Sequence, residues 1–306
     1  MATAQVAARP AELTRPPRSL WTDAWRQFRH HRLAMAGLVT LVMLVLATLL
    51  GPYLYRTPFN AIDFTEALVG PSATHPFGTD DLGHDLLARI LWGGRVSIAV
   101  GIVAVLISIT LGTSIGAIAG YFQKTDNPLM RLTDLFLSLP QLPLLLIILY
   151  LFRDPLRAMF GPETGIFLMI VFVIGVLNWM PVARLVRASV LSLKNKEFVE
   201  AARAIGNSDM RILGRHILPN VMSPVLVAAT VGVGGAIITE SALSFLGLGF
   251  PPDVPTWGRL LFDAQQYLDF APHWAFFPGL MIFLTVLSVN YIGDGLRDAL
   301  DPRKTS

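Results

Sequence analysis

The chain has 306 residues, 53% of them hydrophobic and 15% charged, with a mean hydropathy of +0.57. That composition excludes an ordinary soluble domain and indicates a membrane protein. The absence of cysteine removes disulfides and thiolate ligands, and the net charge of +3 says more by its distribution than by its sign.

Residues 1–17 are rich in Ala, Arg and Pro without periodicity and read as a disordered tail. In residues 20–32, Leu20, Trp21, Ala24, Trp25 and Phe28 recur at helical spacing with Arg26, Arg29 and Arg32 between them. This pattern suits an interfacial helix on anionic headgroups or a polar extension of the first span. Residues 33–55 form that span, about one bilayer long. No cleavable signal peptide is expected, because the polar, Arg-rich start leads into a run long enough to span.

An acidic loop follows, with Thr79 or Asp80 placed to cap a short helix running to Trp92, its apolar face made by Leu82, Leu86, Ile90 and Leu91. A second span covers 96–121 and carries Gly101, Gly112, Gly116 and Gly120, which permit close helix approach. The third, 130–151, contains Pro140 and Pro143 and should kink. The fourth runs from 165 to about 186, the fifth from 219 to 246, and the sixth from 274 to 292. Residues 247–272 read as a loop. The expected division is a tail and interfacial helix (1–33), a first span (34–56), a loop (57–94), a core (95–296) containing a polar elbow (195–218), and a tail (297–306).

That elbow interrupts the apolar pattern between the fourth and fifth spans. Residues 197–205 are good helix formers. Gly206 then suits a turn through positive φ, and Asn207 or Ser208 can cap a second short helix over 209–217. Pro219 fits the first turn of the next segment. The first helix would offer a small-residue face, Ala201, Ala202 and Ala204, to a docking partner.

Six spans put both termini on one side, and Lys and Arg favour the cytoplasm for that side by roughly three to one. The elbow then faces the cytoplasm. The sequence holds no GxxxxGK[ST] motif, so energy must come from a partner or an ion gradient.

Several polar residues invite a role. Glu240, a carboxylate in the fifth span, could meet a substrate amine or make a bond within the bundle. Asn178 and Asn290 suit interhelical bonds more than substrate contact. Gly232, Gly234 and Gly235 mark either a thin-walled stretch of path or close packing. His75 and His84 lie near Asp80, Asp81 and Asp85, but those acids also suit caps and loop ion pairs, so no metal site is expected. Asp253, Asp263 and Asp269 sit in the loop before the last span and read either as a docking surface or as solvated acids.

Glu200, Ala201 and Ala202, Gly206 after three further residues, and His216, Leu218 and Pro219 beyond it resemble the EAA pattern of ABC-importer permeases. Four more stretches, within 75–85, 183–203, 240–261 and 278–303, resemble the C-type permease subunits of dipeptide and oligopeptide importers. That branch also includes nickel, glutathione and opine importers. His84 departs from it where Arg is usual, which puts a loop salt bridge in question.

The resemblance implies an all-α inner-membrane protein of a bacterium or archaeon with six transmembrane helices: a five-helix type I importer core preceded by an extra N-terminal span. It implies a non-catalytic subunit paired with a B-type permease, two cytoplasmic ATPases carrying ATP and magnesium, and an extracytoplasmic peptide-binding protein, with no cofactor of its own and no nucleic acid. Glu200, Ala201, Ala202, Arg203, Ala204, Gly206 and Asp209 would couple to the ATPases. Glu240, Gly234, Gly235 and Asn178 are the candidates for the translocation path. A stand-alone channel or intramembrane enzyme would instead need a charged ring or a catalytic pair in the spans.

Overall fold

The computed structural model describes residues 20–300. The predicted tail over 1–17 and the end of the chain lie outside them, as do the side chains of Leu20, Trp21 and Asp23. Twelve helices are numbered in chain order: α1 (Leu20–His30), α2 (Arg32–Leu54), α3 (Leu86–Tyr121), α4 (Gln123–Ser138), α5 (Gln141–Phe160), α6 (Pro162–Leu177), α7 (Trp179–Leu193), α8 (Glu197–Ala204), α9 (Asp209–Ile212), α10 (Leu218–Phe245), α11 (Trp257–Ala264) and α12 (Pro272–Ala299).

By length and composition, five stretches can cross a membrane: α2, α3, α6 with α7, α9 through α10, and α12. The third expected span, 130–151, is not a single kinked rod. α4 and α5 meet at an 86° bend around Leu139 and Pro140. The reason lies in α4 itself. Its Asp126 takes a bidentate pair from Arg187 of α7, at 2.5 and 2.7 Å, and its Asp134 pairs with Arg184 one turn earlier. Those bonds hold α4 against the middle of α7, and Pro140, which has no N–H to give, lets α5 leave at a new angle. Counted as one broken span, α4 and α5 bring the total to six.

The second span also differs from its predicted start. No separate amphipathic helix precedes it. Asp85, rather than Thr79 or Asp80, caps α3 by accepting from Ala88 N at 2.8 Å, and the helix runs unbroken for 36 residues. Leu86 and Ile90 are buried, whereas Leu82 stays in the loop and is exposed.

The glycines of α3 are a packing seam. A Cβ on Gly112, Gly116 or Gly120 would lie 2.7, 2.4 or 2.9 Å from the carbonyl oxygens of Trp179, Ala183 and Arg187. Only hydrogen at those positions allows α3 and α7 to touch along their backbones. One hydrophobic core fills the space between α3, α5, α6 and α10, with Phe250 and Val254 closing one end. α2 lies along α12, and Phe28 of α1 is buried in a notch at Gly295 of α12. Gln27 donates to the Asp298 carbonyl at 2.9 Å, so the described chain begins and ends at the same end of the bundle. α1 thus packs its Phe28 on protein and leaves its arginines outside.

Residues 247–272 hold a helix that the apolar pattern alone did not suggest. Thr256 caps α11 by accepting from Arg259 N, and Trp257 is fully buried with its Nε1 donating to Ile90 O at 3.1 Å.

Candidate functional site

The elbow has a hydrophobic core of its own. Val199 and Ala202 of α8, and Ile212, Leu213 and Ile217 after the turn, are buried against Val182, Val186 and Val190 of α7 and Ala117 of α3. Gly206 adopts φ +85°, and its N–H and that of Asn207 return to Arg203 O and Ala202 O, closing α8. A left-handed residue is needed here, and glycine supplies it without a Cβ penalty.

The expected second short helix does not stand alone. α9 passes through a π-turn, Leu213–Ile217, directly into α10, giving one helical body from Asp209 to Phe245. The cap expected from Asn207 or Ser208 is absent as a side-chain bond; Ser208 takes the N-cap position with its backbone alone. Asp209 instead accepts from the Tyr121 hydroxyl at 2.7 Å, and Lys194 Nζ donates to Gly120 O at 3.2 Å. The first bond ties the elbow, and the second the end of α7, to the last turn of α3.

The outward face differs from the predicted alanine face in one residue. Ala201 and Ala204 are exposed, as are Glu200 and Arg203, but Ala202 points into the elbow core. Ile205 and Met210 take its place outside, 79% and 66% exposed. The sequence carried this signal: Val199 and Ala202 share one face at i, i+3, while Ala201, Ala204 and Ile205 share the other.

A second feature lies at mid-bundle. A cavity of about 390 Å³ opens between the middle of α3 (Ala104, Val105, Ser108), the middle of α10 (Gly232, Gly235, Thr239) and two helix breaks, at Gln141 and Asn178. Asn178 and Gly235 thus share one wall, and a Cβ on Gly235 would meet nothing within 4 Å. Gly234 faces the other way and is buried toward Val286 and Val289 of α12. Glu240 is not on this wall. It is fully buried and accepts from Ser244 Oγ at 2.8 Å and Thr256 Oγ1 at 2.9 Å, pinning α10 to the start of α11. Its second partner comes from a loop sixteen residues on, so the span sequence gave no hint of it.

At the far end of the bundle the acidic loop is folded on itself. Asp80 accepts from His84 Nδ1 at 2.8 Å and from Arg89 Nη1 at 2.6 Å, and Arg89 reaches Pro252 O at 2.9 Å. Burial alone would raise the Asp80 carboxyl, but the His84 bond and the Arg89 charge outweigh it and hold it below the usual carboxylate range. His84 therefore hydrogen-bonds to Asp80 beside Arg89, and the Asp80–Arg89 pair stays intact. His75 bridges Asp85 and Glu66 at 2.8 Å each, and the bond to Asp85, against a smaller burial penalty, raises its pKa. Among the described residues no group of three or more His, Cys, Asp or Glu is arranged to hold a metal ion. Asp253 and Asp263 line a wide mouth of about 680 Å³ at this end with Asp81, Glu163 and Arg259.

Residues 112–306 match the family described as the binding-protein-dependent transport system inner membrane component. The chain belongs to that family. Residues 19–71 match the N-terminal transmembrane domain of oligopeptide transport permease C. The permease is 40% identical over 290 residues to the dipeptide transport system permease protein DppC of Alkalihalophilus pseudofirmus, covering 94% of this chain and 91% of that one. It is 40% identical over 302 residues to the oligopeptide transport system permease protein OppC of Haemophilus influenzae, covering 98% and 94%. To the glutathione transport system permease protein GsiD of Pectobacterium atrosepticum it is 38% identical over 308 residues, covering 99% and 98%. In fold it is similar to a chain of the MetNI methionine ABC transporter in an inward-facing conformation, with a TM-score of 0.56 and 19% identity over 71% of this chain and 96% of that chain. The permease is thus a multi-pass inner-membrane component of an ABC importer, built on the type I importer permease fold. Members of this family work with ATPase subunits and a binding protein.

Proposed function

We propose that the permease forms, with a homologous B-type partner, the translocation path for di- and oligopeptides, and that its elbow docks on one of two cytoplasmic ATPases. The observation that carries this reading is mechanical. The elbow is packed as a solid body, and its second half, from Asp209 onward, is one continuous helix with α10, whose middle lines the cavity. A push on Ala201, Ala204 and Ile205 therefore passes through the packed core of Val199, Ala202, Ile212 and Leu213 into the helix that lines the cavity.

Both described ends of the chain lie at the elbow end, and the basic residues favour that end as cytoplasmic. ATP and magnesium would bind on the ATPases, and closure of the ATPase pair would bias a two-state bundle between facing the cytoplasm and facing the binding protein. The permease would itself catalyse nothing. Among the described residues no charged side chain lines the cavity, which counts against a stand-alone ion channel and against direct handling of nickel.

The test is reconstitution of the permease with its partner permease, both ATPases and the binding protein in proteoliposomes. ATP-dependent uptake of di- and tripeptides, and none of nickel, is expected. Uptake of nickel without peptides, or solute flux with no ATPase present, would refute it.

A further inference from the structure

A backbone in lipid can leave the helical ladder only where other groups take over its hydrogen bonds or where it borders a cavity. This bundle breaks its helices at Leu139–Pro140 and at Asn178. Both breaks open on the same 390 Å³ cavity, and each delivers a primary amide to it. Gln141 Nε2 donates to Asn178 Oδ1 at 3.2 Å, and Asn178 Nδ2 donates to Ile174 O at 2.7 Å.

A primary amide has two N–H groups and an oxygen with two lone pairs. The two bonds above leave Gln141 Oε1 unengaged and one N–H free on each amide. The other polar groups of the wall are already committed to their own helices: Thr239 Oγ1 donates to Gly235 O at 2.8 Å and Ser108 Oγ to Val105 O at 3.1 Å. The rest is hydrocarbon and glycine. The wall therefore offers one paired acceptor and donor set, without charge, on an otherwise apolar surface. That set is complementary to the C=O and N–H of a peptide bond and indifferent to the side chains beside it.

We propose that Gln141 and Asn178 form a contact point for the peptide backbone on the translocation path. The inference rests on the reading that the cargo is a peptide, and it names the part of the cargo that this chain touches. Recognition through the shared amide explains how one path can pass peptides of different side chains. It also gives the two helix breaks a common role, since they set Gln141 and Asn178 within 3.2 Å of each other on the cavity wall.

The test uses the full reconstituted importer with its binding protein saturated by one of two probes: a tripeptide, or the same tripeptide N-methylated at its central amide. Saturation removes the binding protein's own preference, so maximal uptake reports the path. The wild type should carry the unmodified peptide faster. Gln141→Leu and Asn178→Leu, normalised to assembled complex, should lower its maximal uptake about 5- to 30-fold, the worth of one or two lost hydrogen bonds. They should also bring the two probes close to equal rates. Unchanged uptake in both variants, equal rates in the wild type, or variants that slow both probes while keeping the wild-type preference would each overturn the inference. A wild-type importer that carries no peptide sinks the parent reading with it; the other three outcomes sink this inference alone.

Discussion

Gly206 and Gly214 stand eight residues apart on the elbow, and a Cβ on either would meet no atom within 4 Å. They differ in backbone alone: Gly206 has φ +85°, while Gly214 lies in a right-handed π-turn. Gly206→Ala therefore introduces no clash, only the conformational penalty of an L-residue in the left-handed region, about 1–2 kcal/mol. Gly214→Ala should be neutral or favourable, since alanine is the better helix former. At 1.4 kcal/mol per factor of ten, the Gly206 penalty amounts to roughly 5- to 30-fold against the native turn. If the elbow transmits closure of the ATPases, Gly206→Ala should lower peptide taken up per ATP hydrolysed in proteoliposomes, with normal amounts of assembled importer. Gly206→Asn should be milder, because asparagine tolerates positive φ better than other residues, and Gly206→Val more severe. The reasoning fails if Gly206→Ala and Gly214→Ala have the same uptake per ATP.

Other expectations follow from the same geometry. Glu240→Leu would leave the Ser244 and Thr256 hydroxyls without their shared acceptor in a sealed site, and should cost about 2–4 kcal/mol of stability; a thermal midpoint equal to wild type in detergent would contradict this. Gly116→Leu sets a side chain where even a Cβ would lie 2.4 Å from Ala183 O, so α3 and α7 must separate, and loss of folded protein from the membrane fraction is expected, whereas normal yield would count against the seam. His75 titrates with a folded pKa above its ordinary value, so the stability it contributes is full below about pH 6.5 and is lost as pH rises through the folded pKa. His75→Gln should flatten the fall in stability across that window; an unaltered pH profile of unfolding would show that the Glu66–His75–Asp85 bridge carries none of it. Tyr121→Phe removes the bond from α3 to Asp209, and should raise hydrogen exchange in the last turn of α3 and the first turn of α9; unchanged exchange there would show that the bond does not hold the elbow.

Much of this architecture was legible in the sequence because the bilayer demands long apolar runs, and those runs are hard to mistake. The elbow was legible for a different reason: helix formers, then Gly206, then Pro219, spell a helix, a left-handed stop and a restart. What escaped depends on contacts distant in the chain. Pro140 announced a disturbance, but the 86° bend follows from Asp126 and Asp134 pairing with arginines some fifty to sixty residues on. Ala202 was separable from Ala201 and Ala204 by its i, i+3 spacing from Val199, on the face that α7 covers. Asp80 and Asp85 are alike as capping residues, and only the fold shows that Asp80 is taken by His84 and Arg89, leaving Asp85 to start α3. Glu240 stood between a substrate contact and a bond within the bundle because its partner Thr256 belongs to a segment that carried no span signal. Gln141 went unnoticed at the head of an apolar run, and it acquires meaning only beside Asn178.

The chain has no cysteine, so single-cysteine variants give an unambiguous readout of what the elbow touches. With cysteine at Ala204 or Ile205, both exposed, a short bifunctional reagent applied to the assembled importer should join this permease to an ATPase subunit, while cysteine at the buried Ala202 should not react. Modification of Ala204→Cys by an impermeant maleimide added from the extracytoplasmic side, or no cross-link to any ATPase from either exposed position, would contradict the account.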